Sequence, residues 1–144
     1  MKTQYDEDFL RWTEETASAL REGRFDGLDW EHIAEEIESL GASERRALES
    51  QLTVLLQHLL KWQHQPGHRS NGWRATILEQ RLRIDRLLND MPSLRPELDG
   101  NIAENYPVAR LAASGETGFP ETAFPKECPY TIKQILDRDF LPGD

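Results

Sequence analysis

Few side chains in this sequence can do chemistry, and they fall into four groups. His58 and Gln51 stand seven residues apart, two turns of a helix, with Trp62 one turn beyond His58. A polar pair beside an indole could line a small pocket. The plainer alternative is a core histidine and amide bonded to neighbours, as buried polar groups usually are. His58, His64 and His68, with Cys128 as the one cysteine, raise the question of zinc. Their spacing fits no structural zinc site, no C-x-x-C exists, and His64 and His68 straddle Pro66-Gly67, so neither metal nor cofactor is expected. His32 sits three and four residues before Glu35 and Glu36. Di-metal carboxylate bundles need Glu-x-x-His on two helices, whereas here the order is reversed and occurs once.

The fourth group is the segment Lys61 to Arg74, KWQHQPGHRSNGWR, which mixes two tryptophans with Lys61, Arg69 and Arg74. Aromatic and basic side chains together can stack on bases or grip phosphate. A helix capped by Ser70 or Asn71 would add an anion-favouring N-terminus, so Arg69, Asn71 and Arg74 are the candidate anion-binding residues. The segment lacks the glycine, lysine and hydroxyl spacing of a P-loop. The competing reading is a loop whose tryptophans close the core. No nucleophile elbow is present, and Cys128, followed by Pro129, reads as a packing residue. No catalytic residue is assigned.

These residues need a scaffold, and 144 residues are enough for one domain with its own core, expected to span residues 1–144. A single cysteine precludes an internal disulfide and fits a reducing compartment. The opening residues carry acids and no apolar h-region, and no apolar run nears the roughly 20 residues of a membrane span. A cytoplasmic protein with no membrane partner is expected. Charge is uneven: residues 1–44 hold 13 acids and 4 bases, residues 45–86 hold 3 and 8, and residues 87–144 hold 10 and 5. The acidic total argues against nonspecific binding along nucleic acid, while the basic middle keeps a local patch open.

Apolar periodicity predicts helices throughout. The first runs from about Asp6 to Glu22 on Tyr5, Phe9, Trp12, Thr16 and Leu20, with Gly23 as its stop. Asp29 caps a second, with Trp30, Ile33, Ala34, Ile37 and Leu40 on one face, ending at Gly41. Ser43 caps a third, to about Gln63, apolar on most sides: Leu48, Leu52, Leu55, Leu59 and Trp62 form its stripe, widened by Val54, Leu56 and Leu60. Such a helix is surrounded by other elements. A fourth, from about Gly72 to Met91, carries a main stripe of Trp73, Ile77, Ile84, Leu88 and Met91. Ala75, Leu78 and Leu82 make a second strip that a single bundle would leave uncovered, the mark of an interface. Glu79–Arg83 and Arg81–Asp85 are spaced as i,i+4 ion pairs. A fifth starts near Ser93, with a kink or split expected at Pro107. Residues 115–130 should be extended, with Phe119, Phe124 and Tyr130 pinned on the bundle, before a short helix in TIKQILD.

The blocks FDGLDWEHIAEEIESLGASERRALESQLTVLLQHLLKWQHQP, WRATILEQR, PSLRPEL and TGFPETAFPKECPYTIKQILDRDFLP, in that order and spacing, resemble the bacterial domain-of-unknown-function family twenty-nine from about Tyr5 to Pro142. The resemblance implies an all-helical, single-domain cytosolic protein and carries over no catalytic residue. The expected fold is all-α: an irregular bundle of five main helices plus a short C-terminal one and an aromatic-proline tail. Three functions follow. One is a nonenzymatic interaction module, self-associating or binding another protein. The second is an anion or nucleic-acid binder acting through Lys61–Arg74. The third is an enzyme or metal protein using His58 or His32/Glu36.

Overall fold

The computed structural model describes residues 2–143; Met1 and Asp144, the ends of the expected single-domain span, lie outside them. The described residues form α-helices and 3-10 turns without a strand: α1 (Gln4–Glu7), α2 (Phe9–Arg21), α3 (Trp30–His64), α4 (Asn71–Asp90), α5 (Leu98–Thr117) and α6 (Ile132–Leu136). No helix among them is long and apolar enough to cross a membrane. The chain divides into two compact units, one up to Ser43 and one from Glu44 onward.

In the first unit, the expected Asp6–Glu22 helix is two. Asp8 leaves helical geometry and its carboxylate accepts the Arg11 N–H at 3.1 Å, capping α2 and so ending α1. Gly23 stops α2 as expected, in the left-handed region at φ +72° that a glycine adopts without strain. Asp29 accepts the His32 N–H at 3.3 Å and opens α3. The expected break at Gly41 and cap at Ser43 are absent, and the second and third expected helices are one of 35 residues. An interior glycine costs only about 1 kcal/mol, whereas a break would strand eight backbone groups.

The second unit holds the core. Leu48, Leu52, Leu55, Leu56, Leu59 and Leu60 of α3 are fully buried, so the helix is apolar on most sides because it is surrounded. Each such leucine contributes about 1.5–3 kcal/mol of transfer free energy. Ile77, Ile84 and Leu88 of α4 and Ile102, Tyr106, Ala109 and Ala113 of α5 complete the packing. A 3-10 turn (Pro92–Glu97) delays α5 to Leu98, and Pro107 does not split it. Pro107 and Ala103 are both exposed, so the carbonyl that loses its helical donor is on the wet side, while the buried stripe holds the helix together. Gly115 lies inside α5, and Gly118, at φ +76°, ends it.

The tail is pinned by its rings. Phe124 and Tyr130 are buried, and Phe119 packs at the core's margin. Tyr106 donates its hydroxyl to the Pro125 carbonyl at 2.6 Å, Arg110 donates twice to the Phe124 carbonyl, and Tyr130 donates to Gln63 at 2.7 Å. A reciprocal capping box between Thr131 and Gln134 opens α6.

Candidate functional site

His58 and Gln51 both lie on α3, but no shared partner unites them. The His58 Nδ1 is 2.8 Å from the Val54 carbonyl, which can only accept, so Nδ1 carries the proton. Burial holds the His58 pKa below its usual value, so the ring is neutral near pH 7. The Gln51 Oε1 is buried without a hydrogen-bond partner. Trp62 faces elsewhere: the Arg69 guanidinium lies 5.2 Å from its ring centre, and the Arg69 Nε donates to the Trp62 carbonyl at 2.8 Å.

In the first unit, His32 is held by structure. Tyr5 stacks on its ring at 3.9 Å, and the Asp29 carboxylate meets its Nδ1 at 2.5 Å. Glu36 accepts the Tyr5 hydroxyl, which pushes the Tyr5 pKa up to about 12. His64 is wedged edge-on against Phe124 at 4.9 Å with Nε2 buried and unpartnered. Cys128 donates to the Tyr130 carbonyl at 3.6 Å, and burial pushes its thiol pKa up, the opposite of a reactive cysteine. Among the described residues, no three His, Cys, Asp or Glu side chains come together as a metal cage.

The Lys61–Arg74 segment disperses. Lys61, a basic residue of that segment, is only 7% exposed. It pairs with Glu116 from α5 and lies 4.7 Å from the Trp73 ring centre. That pairing holds the Glu116 carboxyl below the usual range. Arg69 is committed to Trp62 and reaches the Pro142 carbonyl at 3.5 Å. Ser70 caps α4 by accepting the Trp73 N–H at 3.2 Å. Asn71 and Arg74 separate from Arg69 and join the second strip of α4. Together with Ala75, Ile77, Leu78, Arg81, Arg138, Asp139 and Leu141 they line a cleft of about 330 Å³.

Arg81 is the residue that sequence reasoning misread. It is 2% exposed and does not pair with Asp85. Its Nε donates to the Ile135 carbonyl at 2.8 Å, and its terminal nitrogens donate to Phe140 at 2.6 Å and Gln134 at 3.1 Å. Asp85 takes Arg138 instead, at 3.0 Å. The signal was present: Arg81 is in phase with the buried Ile77, Ile84 and Leu88. With Arg81 spent on carbonyls and Arg138 on Asp85, Arg74 is the cleft's one arginine without a carboxylate or carbonyl partner among the described residues.

Apolar surface remains on several helices, Val108 and Leu111 of α5 included. On α4, Ala75 is exposed, Leu78 is 45% exposed and Leu82 is 39% exposed. Near the start of α3, Trp30, Ile37 and Leu40, expected on one apolar face, are each more than half exposed. The ring of Tyr5 packs instead on His32, about 160° around the helix from Trp30 at 100° per residue. Phe9, Leu10, Leu20 and Phe25 add to the exposed apolar side chains of this unit.

Fold and surfaces together define a small all-helical protein with exposed apolar faces. Residues 4–141 match the family described as Domain of unknown function DUF29, and the chain belongs to that family, the one its sequence blocks resemble. No curated protein and no solved structure matches it.

Proposed function

We propose that this protein is a nonenzymatic interaction module that self-associates, with Ala75, Leu78 and Leu82 of α4 at the contact. The observation that carries this is the exposure of two leucines on one strip of a helix whose opposite face is core. Exposed apolar side chains grouped on one face mark interaction sites, whereas scattered ones need no explanation. The residues of the enzyme reading argue in the same direction. His58, His32 and Glu36 are each bonded into their surroundings, and among the described residues no nucleophile, base and charge-stabilising donor share a site. Anion binding has less support, because Arg69 and Arg81 already donate to backbone carbonyls. The experiment is light scattering on eluting protein over a wide concentration range. Wild type should run as an oligomer, and Leu82→Glu should give a folded monomer. A wild type that stays monomeric at the highest concentration refutes the self-association.

A further inference from the structure

We infer that the partner on this strip is a second copy of the chain, its α4 antiparallel to the first about a two-fold axis. Leu82 of each copy enters the cleft beside Ala75 of the other, and Asp85 of each meets Arg74 of the other. The inference rests on the self-association proposed above and gives it a register.

Three features of α4 fit this pairing. The first is size. Ala75, Leu78 and Leu82 lie within about 60° of one another at 100° per residue, with the small residue at one end and a large one at the other. An antiparallel mate centred near Leu78 sets Ala75 against the partner's Leu82, twice, and Leu78 against the partner's Leu78. A two-fold contact requires such self-complementarity.

The second is shape. The cleft of about 330 Å³ opens beside Ala75, with Ile77, Leu78 and Leu141 as apolar walls. Its volume exceeds that of a leucine side chain, and only a β-carbon stands at Ala75 to obstruct entry.

The third is charge. Arg74 and Asp85 lie on the same flank of the strip, about 20° apart at 100° per residue. A two-fold axis perpendicular to two antiparallel helices sets the same flank of both copies side by side. Arg74, on the rim of the cleft and without a carboxylate partner among the described residues, then faces the partner's Asp85. Asp85 holds Arg138 at 3.0 Å, is half exposed, and has carboxylate lone pairs to spare. A parallel mate would oppose Ala75 to Ala75 and leave Arg74 and Asp85 on opposite sides of the seam.

The test is a charge exchange followed by sedimentation equilibrium, with circular dichroism to verify folding. Arg74→Glu and Asp85→Arg should each weaken the homodimer by up to about twenty-five-fold, since each reverses two symmetric contacts individually worth up to about fivefold. An equimolar mixture of the two variants should restore wild-type affinity, because every contact in the mixed dimer is again of opposite sign. Ala75→Phe, which fills the cleft mouth, should abolish pairing. A wild-type dimer whose two charge variants gain nothing on mixing overturns this register but leaves self-association standing, through another face. A monomeric wild type overturns both.

Discussion

Replacing Arg81 by methionine tests the account of how the C-terminal segment is held. Methionine keeps most of the apolar stem and removes the three donors to Gln134, Ile135 and Phe140. Hydrogen bonds to a charged group contribute about 1.5–3 kcal/mol each. Against them stands the cost of burying a guanidinium, several kcal/mol, felt here as a pKa lowered by burial and partly restored by Asp137 and Asp139. The released carbonyls are also not wholly stranded, because α6 can lift and let water in. The expected net loss is about 2–4 kcal/mol, or a fall in Tm of roughly 5–15 °C for a chain of this size. Urea unfolding followed by tryptophan fluorescence measures the loss. Amide exchange at Ile135 and Asp137, whose N–H groups close α6, reports the lifting. Lysine at this position should behave like methionine, since a point charge cannot span three carbonyls as a planar fork does. A methionine variant within about 0.5 kcal/mol of wild type, with α6 amides still protected, would refute the reasoning.

The histidines should titrate in two directions. By proton NMR, His58 and His64 should show midpoints below 6.5, held down chiefly by burial, and His32 a midpoint above 6.5, raised chiefly by the Asp29 hydrogen bond. For His58 and His64 the unfolded chain binds protons first, so stability should drop as pH falls below about 6.5. The His32 contribution has the opposite sign: it is complete below about 6.5 and fades as pH rises through the folded value. A His58 midpoint at or above 6.5 would show that its ring is not buried as described. Pro107→Ala should restore a donor to the Ala103 carbonyl and raise stability by about 1–2 kcal/mol, the helix gain outweighing the extra freedom of the unfolded chain. A lower urea midpoint for that variant would mean that the proline holds something other than a helix position.

What could be read in advance was whatever a local period encodes. The α3 leucines and the Ile77–Ile84–Leu88 face recur at helical spacing, and they lie where that spacing puts them, while the tail rings are buried as their apolar size alone suggests. Helix ends were legible where a side chain or glycine acts alone, as at Asp29 and Gly23. Gly41 was misleading because a stop is a competition: an interior glycine is tolerable when helix on both sides would otherwise lose its backbone bonds. The burial of Arg81 was legible from its phase with Ile77, Ile84 and Leu88, but its acceptors were hidden by distance, since they lie 53 to 59 residues away. Lys61 was hidden for the same reason, because Glu116 is 55 residues further on. Of the candidate site, the α4 strip was legible as an uncovered face, whereas the cleft beside it needs Arg138 and Leu141 and has no local signature.

The anchoring of residues 119–141 bears on the order in which the chain becomes a protein. A ribosome makes α3, α4 and α5 first, and each can form from contacts near in sequence. The groups that close the core arrive afterwards: Phe124, Tyr130 with its bond back to Gln63, and the carbonyls that satisfy Arg81. Until they emerge, the nascent chain holds a leucine-rich helix incompletely wrapped and a buried-type arginine with nothing to bind. Such late, long-range closure slows folding and lengthens the time that apolar surface stays open to other chains. A cell making this protein would have to guard α3 and α4 until residues 119–141 have followed them out of the ribosome.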